Sequence, residues 1–194
     1  MTKKATYPEE SDQSLVQRSL ENADTFGIIV KRYWNRLFRY VRRISFSTDE
    51  DIEDLLQETF IKTYKNLNAY DSNLSFSTWI YRICRNTVID SIRRKSVRPA
   101  TVWLDGNDIE HLFEENGDFL RRIAQRDQLH QISLLIESLP ILYRDILVLR
   151  FLEEKSYEEI MDIVRKPKGT VASLINRGRK MLLERAREEH LIDS

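Results

Sequence analysis

The side chains best able to do chemistry fall into three groups. The first is a run of carboxylates, Asp49, Glu50, Asp51, Glu53, Asp54 and Glu58, dense enough to raise the question of a metal. Density alone does not make a site: the three histidines, His111, His130 and His190, include no pair at ligand spacing. The second is the single cysteine, Cys84, which can form no internal disulfide and lies on an apolar helical stripe, where it reads as a small buried hydrophobe rather than a redox group. No nucleophile–base pair or Gly-rich phosphate loop accompanies them, so no catalytic residue, metal or cofactor is expected. The third group is basic. Between Arg165 and Arg187 stand eight Lys or Arg residues and one Glu, while the chain as a whole carries 31 basic and 31 acidic residues. An anionic partner would therefore meet a local face, not a global field.

The elements that must hold these groups are helical. Only five glycines and four prolines interrupt 194 residues, and apolar side chains recur at three/four spacing, so an all-α fold of two small domains is expected. Phe26, Ile29, Val30, Tyr33, Leu37 and Val41 mark one amphipathic stripe. After the acidic start Thr48-Asp49-Glu50-Asp51, suited to the positive end of a helix dipole, Ile52, Leu55, Leu56, Thr59, Phe60, Thr63, Tyr64 and Leu67 mark a second. Asn68 to Ser75 reads as a loop. Trp79, Ile80, Ile83, Cys84, Thr87, Val88 and Ile92 form a third stripe, which ends in Arg93-Arg94-Lys95. From Asp105 to Asp118 come six acidic and no basic residues, bracketed by Gly106 and Gly117, the composition of a linker. Periodicity resumes at Leu129, Ile132, Leu135 and Ile136, breaks at Pro140 and continues through Ile146, Leu147, Leu149 and Leu152. The expected organisation is a loose tail over 1–23, a helical domain over 24–98, a linker over 99–124, a second helical domain over 125–190 and a short tail over 191–194. The polar N-terminus and the lack of any apolar run near ~20 residues point to a cytoplasmic protein with no membrane segment of its own.

Inside the second domain, Ser156 followed three residues later by Glu159 forms a capping box that opens a short helix ending near Val164. Arg165-Lys166-Pro167-Lys168 then turns the chain into a helix with Val171, Leu174, Ile175, Gly178 and Leu182 on one face. Ser173, Asn176, Arg177 and Lys180 lie on the other. A short helix, a tight turn and a second helix with a polar, basic outer face is the helix-turn-helix pattern, suited to a phosphate-lined major groove.

These residues resemble a known family. Leu139-Pro140, Arg144, Leu149-Arg150, Ser156-Tyr157-Glu158-Glu159-Ile160, Pro167, Gly169-Thr170-Val171, Ser173 and Arg177-Gly178-Arg179 resemble the C-terminal domain of extracytoplasmic-function (ECF) sigma factors. Asp51, Glu53-Asp54-Leu55-Leu56-Gln57-Glu58-Thr59-Phe60 and Phe76-Ser77-Thr78-Trp79-Ile80-Tyr81-Arg82-Ile83-Cys84-Arg85-Asn86 resemble region two of the same family, in its order and spacing. The resemblance implies that Asp54, Leu55, Gln57, Glu58 and Ile61 dock on the clamp helices of the largest subunit of core RNA polymerase. It implies that Asn68, Tyr70, Asp71, Ser72, Asn73, Arg82, Arg85 and Asn86 capture the minus-ten element of promoter DNA, with Arg93 and Arg94 on backbone phosphates. Arg150, Lys168, Thr170, Ser173, Asn176, Arg177 and Lys180 would read the minus-thirty-five element. It also implies an acidic linker threading a positively charged polymerase channel, and an anti-sigma factor as a further partner. Trp79 stands on an apolar stripe and is expected in the core rather than as a stacking platform. The sequence departs from the family at Ala172, where many relatives have Lys or Arg, at Lys168, at Glu154 in place of a common Gly, and at Gly178 in place of Ala. A Gly inside a helix costs ~0.5–1 kcal/mol relative to Ala unless a close contact requires it.

The alternative is a conventional transcription regulator that uses only the helix-turn-helix. It leaves the first half of the chain without a role, since no strand pattern there would build a ligand pocket or a phosphoacceptor site.

Overall fold

The computed structural model describes residues 10–95, 135–136 and 138–189, and every regular element among them is helical. The linker expected over 99–124, the start of the second domain before Leu135, the tail at 191–194 and all three histidines lie outside the described residues.

The first helix overturns the expectation of a loose tail up to residue 23. Helix α1 (Asp12–Glu21) is capped by the Ser11 hydroxyl, which accepts from the Ser14 N–H, and it buries Leu15, Val16 and Ser19. Its Asp12 carboxylate holds Arg32 at 2.6 Å and the Tyr33 hydroxyl at 2.5 Å, tying α1 to α2 (Phe26–Ser45). Helix α2 buries Ile29, Tyr33, Leu37, Tyr40, Val41 and Ile44, and ends where Phe46 turns left-handed at φ 51°. The Thr48 hydroxyl then caps α3 (Asp49–Lys65), whose first turn carries Asp49, Glu50 and Asp51 where the orphan N–H groups favour negative charge. On its inner face Thr59 and Thr63 donate their hydroxyls back to the carbonyls of Leu55 and Thr59, so burial leaves neither group unsatisfied. Helix α4 (Phe76–Lys95) closes the bundle with Trp79, Ile80, Tyr81, Cys84 and Val88 buried.

The second domain starts its long turn at Pro140, which caps α5 (Ile141–Leu147). The helix then widens into one π turn over Val148–Leu152, and the Glu153 N–H reaches the Val148 carbonyl at 3.0 Å. Glu154 follows at φ 52°, a left-handed conformation that a glycine adopts at no steric cost, which fits the Gly that the family resemblance implies there. Helix α6 (Tyr157–Val164) begins with the expected capping box: Ser156 Oγ accepts from Glu159 N, and Glu159 Oε2 accepts from Ser156 N. Arg165 ends it, again left-handed, and α7 (Lys168–Glu188) leaves at an angle set by that single residue and Pro167.

Gly178 on α7 is buried against α5. A methyl group there would stand 3.2 Å from Leu147 Cγ and 3.3 Å from Tyr143 Cβ. Leu147 Cγ can turn about its Cα–Cβ bond, but Tyr143 Cβ is fixed to the backbone, so full relief needs α5 and α7 to part by a few tenths of an ångström. Gly178→Ala is therefore expected to lower the thermal midpoint of the second domain despite its gain of ~0.5–1 kcal/mol in helix propensity. A raised midpoint in a calorimetric scan would show that α5 yields freely.

Candidate nucleic-acid interface

Helices α6 and α7 form the helix-turn-helix, with Ile160, Ile163, Val164, Val171, Leu174 and Ile175 as the buried seam between them. The seam turns the other face of α7 outward. Thr170, Asn176, Arg177 and Lys180 are exposed, Ser173 is half-buried, and Lys168 is exposed at the first turn with Glu158 3.2 Å from its Nζ. Arg150 sits elsewhere in this scheme. Its Nη1 donates to the Lys155 carbonyl at 3.2 Å and its guanidinium lies 5.5 Å from the Tyr157 ring centroid, so it braces the entry into α6.

In the first domain the segment 68–75 is a built turn. Tyr70 donates its hydroxyl to the Leu74 carbonyl at 2.6 Å, and its ring packs on Phe76 and Trp79 with centroids 5.4 and 5.2 Å away. Asp71 Oδ1 accepts from the Asn73 N–H at 2.9 Å, and the Leu74 N–H donates to the Asp71 carbonyl. Asn68, Asp71, Ser72 and Asn73 form the exposed rim of this aromatic base. Tyr70 is thus part of the support and not a free stacking surface. Trp79 is buried, as its stripe suggested. Helix α1 touches the rim: Gln13 Nε2 donates to the Ser72 carbonyl at 3.2 Å. Tyr33, anchored by Asp12, packs edge-on to Phe76 at 5.6 Å.

The basic residues of α4 divide. Asn86, Arg93 and Arg94 are exposed, with Arg93 3.9 Å from Asp90. Arg85 is not available to DNA here: its Nε donates at 2.5 Å to Asp145 of the second domain, whose side chain is fully buried. Arg82 is half-buried beside Arg165 and Asp162, and burial together with the Arg165 charge holds its guanidinium below the ordinary arginine value. Burial likewise pushes the Cys84 thiol up to about 12, so it stays protonated and inert at neutral pH.

Two matches correspond to the two helical domains. Residues 29–98 match the family described as Sigma-70 region 2, and residues 129–182 match Sigma-70, region 4. Over 170 residues the chain is 32% identical to the ECF RNA polymerase sigma factor SigW of Bacillus subtilis, covering 85% of this chain and 90% of that one. The chain belongs to the ECF sigma factors. Its identity to the ECF sigma-E factor of Escherichia coli K12 is 35% over 181 residues, with 89% and 92% coverage. Two solved structures share the fold. CnrH, in complex with the cytosolic domain of CnrY, matches at TM-score 0.67 and 20% identity, covering 92% of this chain and 99% of that one. The sigma factor RpoE of Bartonella quintana, in complex with the anti-sigma factor NepR, matches at 0.61 and 19%, covering 82% and 94%. As a sigma factor the protein joins core RNA polymerase and directs promoter-specific initiation, which the conventional-regulator alternative does not accommodate. Among the described residues no helix is long and apolar enough to cross a membrane.

On this sigma factor helix α3 exposes Asp54, Gln57 and Ile61, with Ile61 54% exposed, and Glu58 pairs with Lys62 at 2.7 Å. Leu55 does not belong with them. It is 7% exposed and packs inward, so its place is in the core. Tyr64, one turn on, was missed as a surface residue: it is 42% exposed and packs on Phe26 at 5.1 Å. The larger omission is a set of six side chains between the domains, Tyr40, Arg43, Tyr81, Asp145, Glu153 and Lys155. The only sequence signal for them was charge on apolar stripes, at Arg43 between Val41 and Ile44 and at Asp145 beside Ile146 and Leu147.

If α1 holds the rim of the 68–75 turn, Asp12→Ala should destabilise the first domain by about 1–3 kcal/mol, since it strands the Tyr33 hydroxyl and leaves Arg32 only its bond to the Glu10 carbonyl. Amide exchange at Ser72 to Leu74 should accelerate more than at the centre of α3. Uniform acceleration would show that α1 supports the bundle but not the turn.

Proposed function

We propose that this sigma factor reads the minus-thirty-five element with Thr170, Ser173, Asn176, Arg177 and Lys180 of α7. In this reading the minus-ten strand is captured by the rim Asn68, Asp71, Ser72 and Asn73 together with Arg82, Arg85 and Asn86 of α4. Arg93 and Arg94 follow the backbone phosphates. Core polymerase docks on Asp54, Gln57, Glu58 and Ile61, with Tyr64 at the edge of that surface. The observation that carries the reading is the outward face of α7, where polar and basic side chains are held clear of the protein by a buried apolar seam. Half to two-thirds of protein–DNA hydrogen bonds go to the backbone, and the Lys and Arg residues here suit that share, leaving Asn176 and Arg177 to read base edges.

The domain limits proposed with this function are 24–98 and 125–190 as the family domains, with α1 added to the first. The activity is non-catalytic and is exercised in the cytoplasm, where core polymerase works. We further propose that an anti-sigma factor holds this chain, because CnrH and RpoE, which share its fold, were both solved in complexes with protein partners, CnrY and the anti-sigma factor NepR.

The test is run-off transcription with bacterial core polymerase on genomic fragments. Discrete start sites that require this protein are expected, and core binding without any defined start would refute the promoter assignment. Reversing the charge of Asp54 and Glu58 together should abolish association with core in a pull-down while helicity stays unchanged; retained association would move the docking surface elsewhere. On a promoter mapped in this way, Arg177→Ala should weaken binding to the upstream duplex by about 1–3 kcal/mol in a sequence-dependent manner. An equal loss on every duplex would make Arg177 a phosphate contact.

A further inference from the structure

Helix α1 lies outside both family matches, which begin at residues 29 and 129, so no role comes to it from them. It nevertheless reaches the rim of the 68–75 turn, where Gln13 Nε2 donates to the Ser72 carbonyl at 3.2 Å. Gln13, Gln17 and Leu20 stand at i, i+4 and i+7, and all three are exposed, Leu20 at 43%. That spacing aligns them in one stripe along the outer side of α1, with its first residue at the rim. The inner side is committed to the bundle: Leu15, Val16 and Ser19 are buried, and Asp12 holds Arg32 and the Tyr33 hydroxyl.

The stripe itself carries no charge. Asp12 faces α2, and Arg18 turns to Glu10 at 2.7 Å. Glu21, exposed beyond Leu20, repels phosphate and so disfavours a contact with the nucleic-acid backbone. A glutamine amide instead offers the donor and the acceptor that a base edge requires. Unpaired bases present those edges freely, and a glutamine matches adenine in a bidentate pair. Leu20 adds an apolar surface suited to a thymine methyl or a base face. From Gln13 to Leu20 the helix rises by about 10 Å, the length of about three stacked nucleotides.

We propose that α1 extends the minus-ten site. Gln13 and Gln17 read the unpaired nucleotides that adjoin those captured by the rim, with adenine favoured at Gln17, and Leu20 packs on the next base. The inference rests on the reading of Asn68, Asp71, Ser72 and Asn73 as the capturing rim. Gln13 has two parts in it, bracing the turn through its Nε2 and leaving its Oε1 acceptor for a base. Among the described residues no hydrogen bond joins Gln17 to the turn, so its side chain separates contact with the strand from support of the rim.

The experiment uses core polymerase with the full chain and fluorescein-labelled non-template strands from a promoter mapped by run-off transcription. The nucleotides flanking the minus-ten element on each side are changed in turn to every base, and affinities are read by anisotropy. The unaltered protein should discriminate at least ~5-fold among bases at adjoining positions on one side, with adenine preferred at one of them. Gln17→Ala should reduce that preference to below about twofold while leaving discrimination inside the element unchanged. Gln17→Glu should move the preference towards cytosine, whose amino group donates to a carboxylate. Gln13→Ala should flatten the preference at its own position and also speed amide exchange at Ser72 to Leu74. A flat profile in the unaltered protein, or an unchanged preference in both Gln17 variants, would overturn the inference. So would a loss in Gln13→Ala that is equal for every sequence, the behaviour of a brace alone. Asn68→Ala tells the two readings apart. If it flattens discrimination inside the element while the Gln17 variants are silent, the role of α1 fails alone; if it is silent too, the rim reading fails with it.

Discussion

A carboxylate removed from water between two domains must find its counter-charge there, and in this protein that requirement governs how the halves meet. Asp145 has no exposed side-chain surface, and Glu153 has 7%. Burial pushes the Glu153 carboxyl above the usual carboxylate range, against the pull of the Tyr81 hydroxyl and of Arg43. Removing one partner of such a pair leaves an uncompensated buried charge, which costs ~3–5 kcal/mol, whereas separating the domains returns every group to water together. The interface therefore tolerates opening far better than it tolerates a slipped register. From that register follow the covering of Arg82, the capture of Arg85 and the outward aim of α7.

Local geometry in the second domain serves the same placement. The π turn over Val148–Leu152 adds a residue to the helical ladder just before Glu153. Glu154 then reverses the chain with a left-handed backbone, and Lys155 is delivered, 4% exposed, to Ser77 and Glu159. Glu159 acts twice, completing the capping box of α6 with one oxygen and receiving Lys155 with the other. Local helix initiation and domain docking thus share a side chain. Gly178 allows α7 to approach α5 closely enough for the helix-turn-helix to be held from behind.

Much of this was legible in the sequence because it is periodic or local. Three apolar stripes set α2, α3 and α4 to within a few residues, and Ser156 with Glu159 marked the start of α6. What escaped is non-local or weakly patterned. Helix α1 is ten residues long and mostly polar, and its order comes from Leu15, Val16 and the Asp12 contacts with α2 rather than from its own periodicity. The pairs Tyr40–Asp145 and Arg43–Glu153 join residues more than 100 positions apart, and no spacing rule reports them. Family resemblance placed Leu55, Arg85 and Arg150 at matching positions but carries no information on burial. For Leu55 the corrective was already present, since it belongs to the same stripe as Ile52, Leu56 and Thr59.

The central claim is that Asp145 and Glu153, each met by an arginine and a tyrosine of the first domain, fix how the two domains meet in the free chain. The most direct test measures the distance between labels on exposed positions of the two domains, Asn35→Cys on α2 and Glu184→Cys on α7, with buried Cys84 left unreacted. Double electron–electron resonance on the free chain should give one distance within the ~40 Å of a compact fold, and Asp145→Asn together with Glu153→Gln should lengthen or broaden it. A long distance already present in the free chain, or a short, unbroadened one preserved in the double variant, would contradict the account.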